Sequence, residues 1–152
     1  MRKLTLIVIA LVALVAAGIA VANGFEGTRT AKLGVTRRDG SPYVLPVWSV
    51  LDGDDVVFTT GAETVRGRAL RRDGRASICV DEERPPYAFV RINGSATLSE
   101  DLGEMRRWAR LISTRYMGEA LADRYTERNA VPGELLVRVT PRRIVAEADV
   151  VD

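Results

Sequence analysis

Three Asp-Gly dipeptides, Asp39-Gly40, Asp52-Gly53 and Asp73-Gly74, punctuate the first half of the chain, and they constrain its fold more than any other feature. Glycine takes the positive φ that tight reversals need, so Asp-Gly between short apolar runs marks a hairpin. The first two dipeptides separate such runs; the third breaks a short helix. Residues 30–36 alternate, with Ala31, Leu33 and Val35 on one face and Lys32, Gly34 and Thr36 on the other, as in a half-buried strand. Residues 42–51 read as the second strand, carrying Val44, Val47, Trp48 and Val50. Pro46 inside it requires an edge position or a bulge, because proline cannot donate to a ladder. Residues 56–60 are a short β-branched third strand. After Gly61, Thr64 caps a helix to about Arg72.

Residues 76–80 form the fourth strand, and Pro85-Pro86 close a charged loop beginning at Asp81. The strand 88–98 places Ala88, Val90, Ile92, Gly94, Ala96 and Leu98 on one face. Ser99 or Asp101 caps a helix with a buried stripe of Leu102, Met105, Ala109, Ile112 and Tyr116, and Trp108 at its margin. Gly118 stops it, and a second helix covers 119–128. Residues 134–140 and 143–148 are the last two strands, with Pro141 between them. About seven strands closed by turn signals predict an antiparallel barrel, mainly β with α.

A chain of 152 residues favours one domain and can bury a core without staples. It holds one cysteine, Cys79, and no histidine. An intramolecular disulfide, a cysteine metal cluster, a histidine metal site, a Ser-His-Asp triad and a histidine base are therefore excluded. Chemistry must come from a cofactor, from Asp or Glu, or from Arg, Lys, Tyr or the backbone. Cys79, within a strand, is expected to be a buried, inert thiol. The net charge is only +2, from 22 basic and 20 acidic residues. Arginines nevertheless cluster at Arg37-Arg38, at Arg66, Arg68, Arg71, Arg72 and Arg75, and at Arg142-Arg143. Such clusters attract anions locally or are plain solvated surface. Basic residues are interleaved with acids and no recognised motif is present, so no nucleic-acid partner is expected.

Met1-Arg2-Lys3 precedes an uncharged run from Leu4 to Ala22. As a helix it would reach roughly 28 Å, enough to span hydrocarbon. It is apolar all round, unlike an amphipathic surface helix. It reads as a signal peptide with Ala20-Val21-Ala22 as the cleavage site, as an uncleaved anchor, or as a helix packed on the barrel. The heavier basic flank, Arg29, Lys32, Arg37 and Arg38, follows the run and favours an anchor in residues 4–22 with the domain facing the cytoplasm. Cytoplasmic and exported forms are the alternatives. The chain thus divides into a hydrophobic segment, 1–24, and a cofactor-binding domain, 28–150.

Four stretches carry a resemblance: Leu45-Pro46-Val47-Trp48, Val57-Phe58-Thr59-Thr60-Gly61, Thr64-Val65-Arg66-Gly67-Arg68-Ala69-Leu70 and Glu83-Arg84-Pro85-Pro86-Tyr87-Ala88. Together they resemble the flavin and deazaflavin oxidoreductases related to pyridoxamine 5'-phosphate oxidase, in the branch that uses coenzyme F420. The likeness runs from about Thr28 to Val150. It implies an FMN-binding split β-barrel fold, here preceded by an N-terminal apolar helix in place of the family's short amphipathic one. It also implies a homodimer with the cofactor cleft between subunits.

The resemblance places the cofactor phosphate at Arg66 and Arg68, near a helix start, where guanidinium groups and backbone N–H groups suit an anion. An exposed basic helix face is the alternative. It sets Thr59 and Thr60 at the polar edge of the ring, and the backbone of Pro46, Val47 and Trp48 along the other side. For Trp48, core packing is the alternative. A polyanionic oligoglutamate tail would meet Arg37, Arg38, Arg71 and Arg72. No catalytic residue is assigned. Tyr43 stands near where relatives often carry histidine, and Tyr87 and Tyr116 are other candidate proton donors, with packing as their alternative role. The implied activity is hydride transfer between reduced F420 and an electron-poor, quinone-like or conjugated small molecule. An FMN-binding oxidoreductase on the same scaffold and a non-catalytic F420 carrier remain open. No metal is expected.

Overall fold

Alternation builds the first strand as expected: Ala31, Leu33 and Val35 are buried on β1 (Ala31–Thr36). The computed structural model describes residues 25–148 and residue 150; the expected N-terminal apolar helix lies outside them. Among the described residues no helix is long and apolar enough to cross a membrane. The further strands are β2 (Pro42–Val47), β3 (Val50–Asp52), β4 (Asp55–Gly61), β5 (Arg75–Asp81), β6 (Phe89–Ser99) and β7 (Glu134–Glu147). The helices are α1 (Val65–Asp73), α2 (Leu102–Met117) and α3 (Glu119–Asn129).

All seven strands form one antiparallel sheet in the order β2-β1-β5-β6-β7-β4-β3. The first and last in that order are neighbours in the chain, separated only by Trp48 and Ser49. Val47 and Val50 can be at most about 11 Å apart, three Cα–Cα steps, so the sheet must roll until its two edges meet. Successive antiparallel pairings return β3 to the direction of β2. The expected single strand 42–51 is therefore corrected to two consecutive strands, one pairing with β1 and the next with β4. Pro46 is exposed on the edge strand β2, as its missing N–H requires.

The last two expected strands are one. β7 runs through Pro141, and its register shifts between Asn93↔Arg143 and Gly94↔Pro141, leaving Arg142 unmatched. This bulge accommodates the proline. A Cβ on Gly94 would lie 2.4 Å from the Thr140 oxygen, so only glycine lets the two backbones approach this closely.

The barrel interior holds Leu33, Phe58, Ile78, Ile92 and Val137, each contributing about 1.5–3 kcal/mol by leaving water. A second layer lies outside β4 and β7, where Val57 and Leu136 pack under Met105, Trp108 and Ala109 of α2. Both faces of β4 are thus covered. Trp108 belongs to this core rather than to its margin, while Leu102 is exposed, a correction to the expected stripe. Of the two candidate caps for α2, Asp101 accepts the Glu104 N–H at 2.6 Å.

Candidate functional site

β3 and β4 pair only at Val50↔Val57, Leu51↔Val56 and Asp52↔Asp55. Continued in that register, Trp48 would fall opposite Thr59 and Val47 opposite Thr60, but the ladder stops and β2 pairs with β1 instead. The result is a seam beyond Val50↔Val57, where the edges of β2 and β4 are not laddered to each other. Such an edge offers donors and acceptors at fixed spacing. The two halves of the expected ring contact, Pro46-Val47-Trp48 and Thr59-Thr60, therefore flank the point where the ladder ends.

Their side chains behave differently from their backbones. The Thr60 hydroxyl is buried, accepts from Arg66 Nε, and lies 3.3 Å from Thr64 Oγ1. It serves the start of α1, while the Thr60 backbone is matched to Leu135 of β7. Thr59 is half-buried, Val47 joins the core and Pro46 is exposed. The Trp48 ring lies parallel to Tyr116, 5.1 Å between centroids at 3°. The ring is half-buried and packs on Tyr116 rather than within either core cluster.

Gly61 leads directly into α1. Thr64 caps the helix, accepting from the Gly67 N–H at 3.1 Å. A Cβ on Gly67 would come 2.3 Å from the Gly61 oxygen, so the glycine of Arg66-Gly67-Arg68 lets the helix start rest on the end of β4. The two arginines reach back toward the N-terminus, Arg66 to Thr60 and Arg68 to the Glu63 carbonyl. Among the described residues neither has a carboxylate at ion-pair distance. The next three differ: Arg71 bridges Glu63 and Glu100, and Arg72 and Arg75 share Asp73. Arg71 and Arg72, expected to meet an anionic tail, are therefore already paired. Arg37 lies 4.8 Å over the Tyr43 ring, and Arg38 is exposed.

Sequence reasoning missed Glu134. It stands opposite Gly61, and its Oε1 lies 3.4 Å from where a Gly61 Cβ would be. Burial pushes its carboxyl above the usual range, and the Arg66 charge draws it partly back. Only the β4–β7 register could have revealed this neighbour. Cys79 is half-buried rather than buried; burial, then Asp81, raises its thiol, which suits an inert group. Among the tyrosines, Tyr43 packs against the core and Tyr87 is exposed. The Tyr116 hydroxyl is committed, donating to the Arg29 carbonyl at 2.8 Å and accepting the Ser49 N–H at 3.3 Å. Two clefts of about 1020 and 890 Å³ lie elsewhere, one against the Asp81–Pro86 loop and one on the outer faces of β1, β5 and β6. None of the expected site residues lines either.

The family model for pyridoxamine 5'-phosphate oxidase matches residues 19–146. Among curated proteins none matches. Similar solved structures include a conserved hypothetical protein from Mycobacterium tuberculosis, at 23% identity over 88% of this chain and 84% of that one, with a TM-score of 0.73. An F420 reductase is similar at 18% identity over 81% and 94%, with a TM-score of 0.68. The heme storage protein HutZ from Vibrio cholerae is similar at 16% identity over 82% and 90%, with a TM-score of 0.66. At these identities the likeness shows the fold alone.

Proposed function

Because this chain belongs to the pyridoxamine 5'-phosphate oxidase family, a superfamily of flavin-binding oxidoreductases, we propose that it holds a flavin-type cofactor along the seam and acts as an F420-dependent oxidoreductase. One observation carries this reading. Arg66 and Arg68 have no carboxylate at ion-pair distance among the described residues, at a helix start beside the end of the β3–β4 ladder, while the next three arginines are ion-paired. A phosphate would supply the missing charge, and a flat ring with a polar edge would meet the backbone groups.

When bound, reduced F420 supplies a hydride for an electron-poor acceptor such as a quinone. The chain's own residues bind and orient. Arg66 and Arg68, with the first N–H groups of α1, hold the phosphate. The backbones of Thr59 and Thr60 and of Pro46, Val47 and Trp48 fix the ring edge and so align donor with acceptor. Glu134 is the protonatable group whose charge bears on Arg66. The choice of F420 over FMN rests on the sequence motifs and is supported by an F420 reductase among the similar folds.

The seam residues line neither of the two clefts above, so a second copy would supply the opposite wall, giving a homodimer. Anchorage through residues 4–22, with the domain on the cytoplasmic side, belongs to the same proposal. Titrating the full chain in detergent micelles with F420 and separately with FMN, by tryptophan fluorescence, tests it. The expected result is F420 binding that weakens at least about tenfold in the Arg66→Ala, Arg68→Ala double variant. FMN binding alone would transfer the chemistry to a flavin oxidoreductase. Tight F420 binding with no oxidation by any quinone would leave a carrier.

A further inference from the structure

Two short segments lie outside the ladders near the seam: residues 25–29 ahead of β1, and Trp48-Ser49 between β2 and β3. Both are held by the same two consecutive side chains at the end of α2. Arg115 donates to the carbonyls of Phe25, of Gly27 at 2.8 Å and of Ser49 at 3.1 Å. Tyr116 joins the Arg29 carbonyl to the Ser49 N–H through its hydroxyl, and its ring carries the Trp48 ring flat against it. Phe25 itself is buried in the barrel core. In the sequence, Phe25 follows the end of the apolar run at Ala22 by three residues.

We propose that Arg115 and Tyr116 are positioning residues that couple the seating of residues 25–29 to the setting of the cofactor-facing backbone at 46–48. The proposal rests on the cofactor reading above for what 46–48 faces. Arg115 reaches the two segments through different nitrogens of one planar guanidinium, Nε to Gly27 and Nη1 to Ser49, so a guanidinium that swings off one segment's carbonyl is displaced from the other's as well. A Tyr116 hydroxyl turned away from Arg29 likewise loses its line to Ser49. The two segments therefore loosen together, and the wall of the seam follows the strap that leads into the barrel.

The test uses the full chain in detergent micelles and two variants. Tyr116→Phe keeps the stacked ring and removes the bridging hydroxyl. Ile112→Val removes a methylene from the same helix's buried face and leaves the bridge alone. Hydrogen–deuterium exchange without cofactor should rise about five- to tenfold at both 25–29 and 47–50 in Tyr116→Phe, with β5 and β6 unchanged. F420 affinity should fall by a similar factor, and Ile112→Val should leave both readouts near wild type. Faster exchange at only one segment, or equal effects from Ile112→Val, would overturn the coupling. A wild-type chain that binds neither F420 nor FMN would overturn the cofactor reading instead; the exchange experiment needs no ligand and still decides whether the segments move as one.

Discussion

The wall made by β5, β6 and β7 and the seam between β2 and β4 are built on opposite terms. β6 is matched on both edges, to β5 from Phe89 to Ser95 and to β7 from Phe89 to Ser99. From Phe89 to Ser95 its backbone therefore has a strand partner on either side. At the seam the ladder stops at Val50↔Val57, and side chains from helices take over: Tyr116 and Arg115 on one strand, Arg66 and Thr64 at the end of the other. A ladder gives rigidity and uses up its polar groups. A seam keeps polar groups available but must borrow its geometry from elsewhere.

The sharpest way to break this contrast is to damage the wall. Gly94→Val should destabilise the chain by roughly 3 kcal/mol or more, because its Cβ meets the Thr140 backbone. A urea midpoint measures that, and the cofactor affinity of the molecules still folded should stay near wild type. Next in size is Arg66→Ala. It should lower F420 affinity about tenfold to a hundredfold, the range for a hydrogen bond to a charged group, while moving the thermal midpoint little. An equal loss in Arg71→Ala would erase the distinction between paired and unpaired arginines. Glu134→Gln is subtler. Its folded carboxyl is raised by burial, so the folded state holds its proton longer than the unfolded one. That contribution to stability is present below the ordinary carboxylate range and is lost as pH rises through the raised value. The variant should flatten this slope between acidic and neutral pH and tighten phosphate binding at neutral pH; an unchanged slope would mean Glu134 is solvated. Smallest of all, Arg71→Ala should change stability by no more than about 0.5 kcal/mol, since its carboxylate partners are exposed.

Most of the barrel was legible because its rules are local. Alternation located β1 and β6, Asp-Gly marked the turns, and Thr64 and Gly74 bracketed α1 through a cap and a left-handed φ of 61°. The errors share a cause. Nothing within residues 42–51 says that one half pairs with β1 and the other with β4, because that is decided by closure of the whole sheet. Pro141 read as a break because its tolerance depends on Gly94, a partner on another strand. Leu102 read as core because helical spacing alone does not say which end of a stripe is covered. At the site, the motif order carried Arg66, Arg68, Thr59 and Thr60 to the same region. Glu134 and the Arg115–Tyr116 bridge were invisible, since each acquires its neighbours only through long-range register.

β7 is the strand that completes both β4 and β6. A growing chain therefore carries two open sheet edges, one bearing Val56, Val57 and Phe58, until the segment from Glu134 onward has been made. Hairpins near the start can form early, but closure waits on a partner that is synthesised late. The order of translation thus gives the nascent barrel a long sticky interval. A chain stopped just before Glu134 would be a template for aggregation rather than a smaller version of the domain.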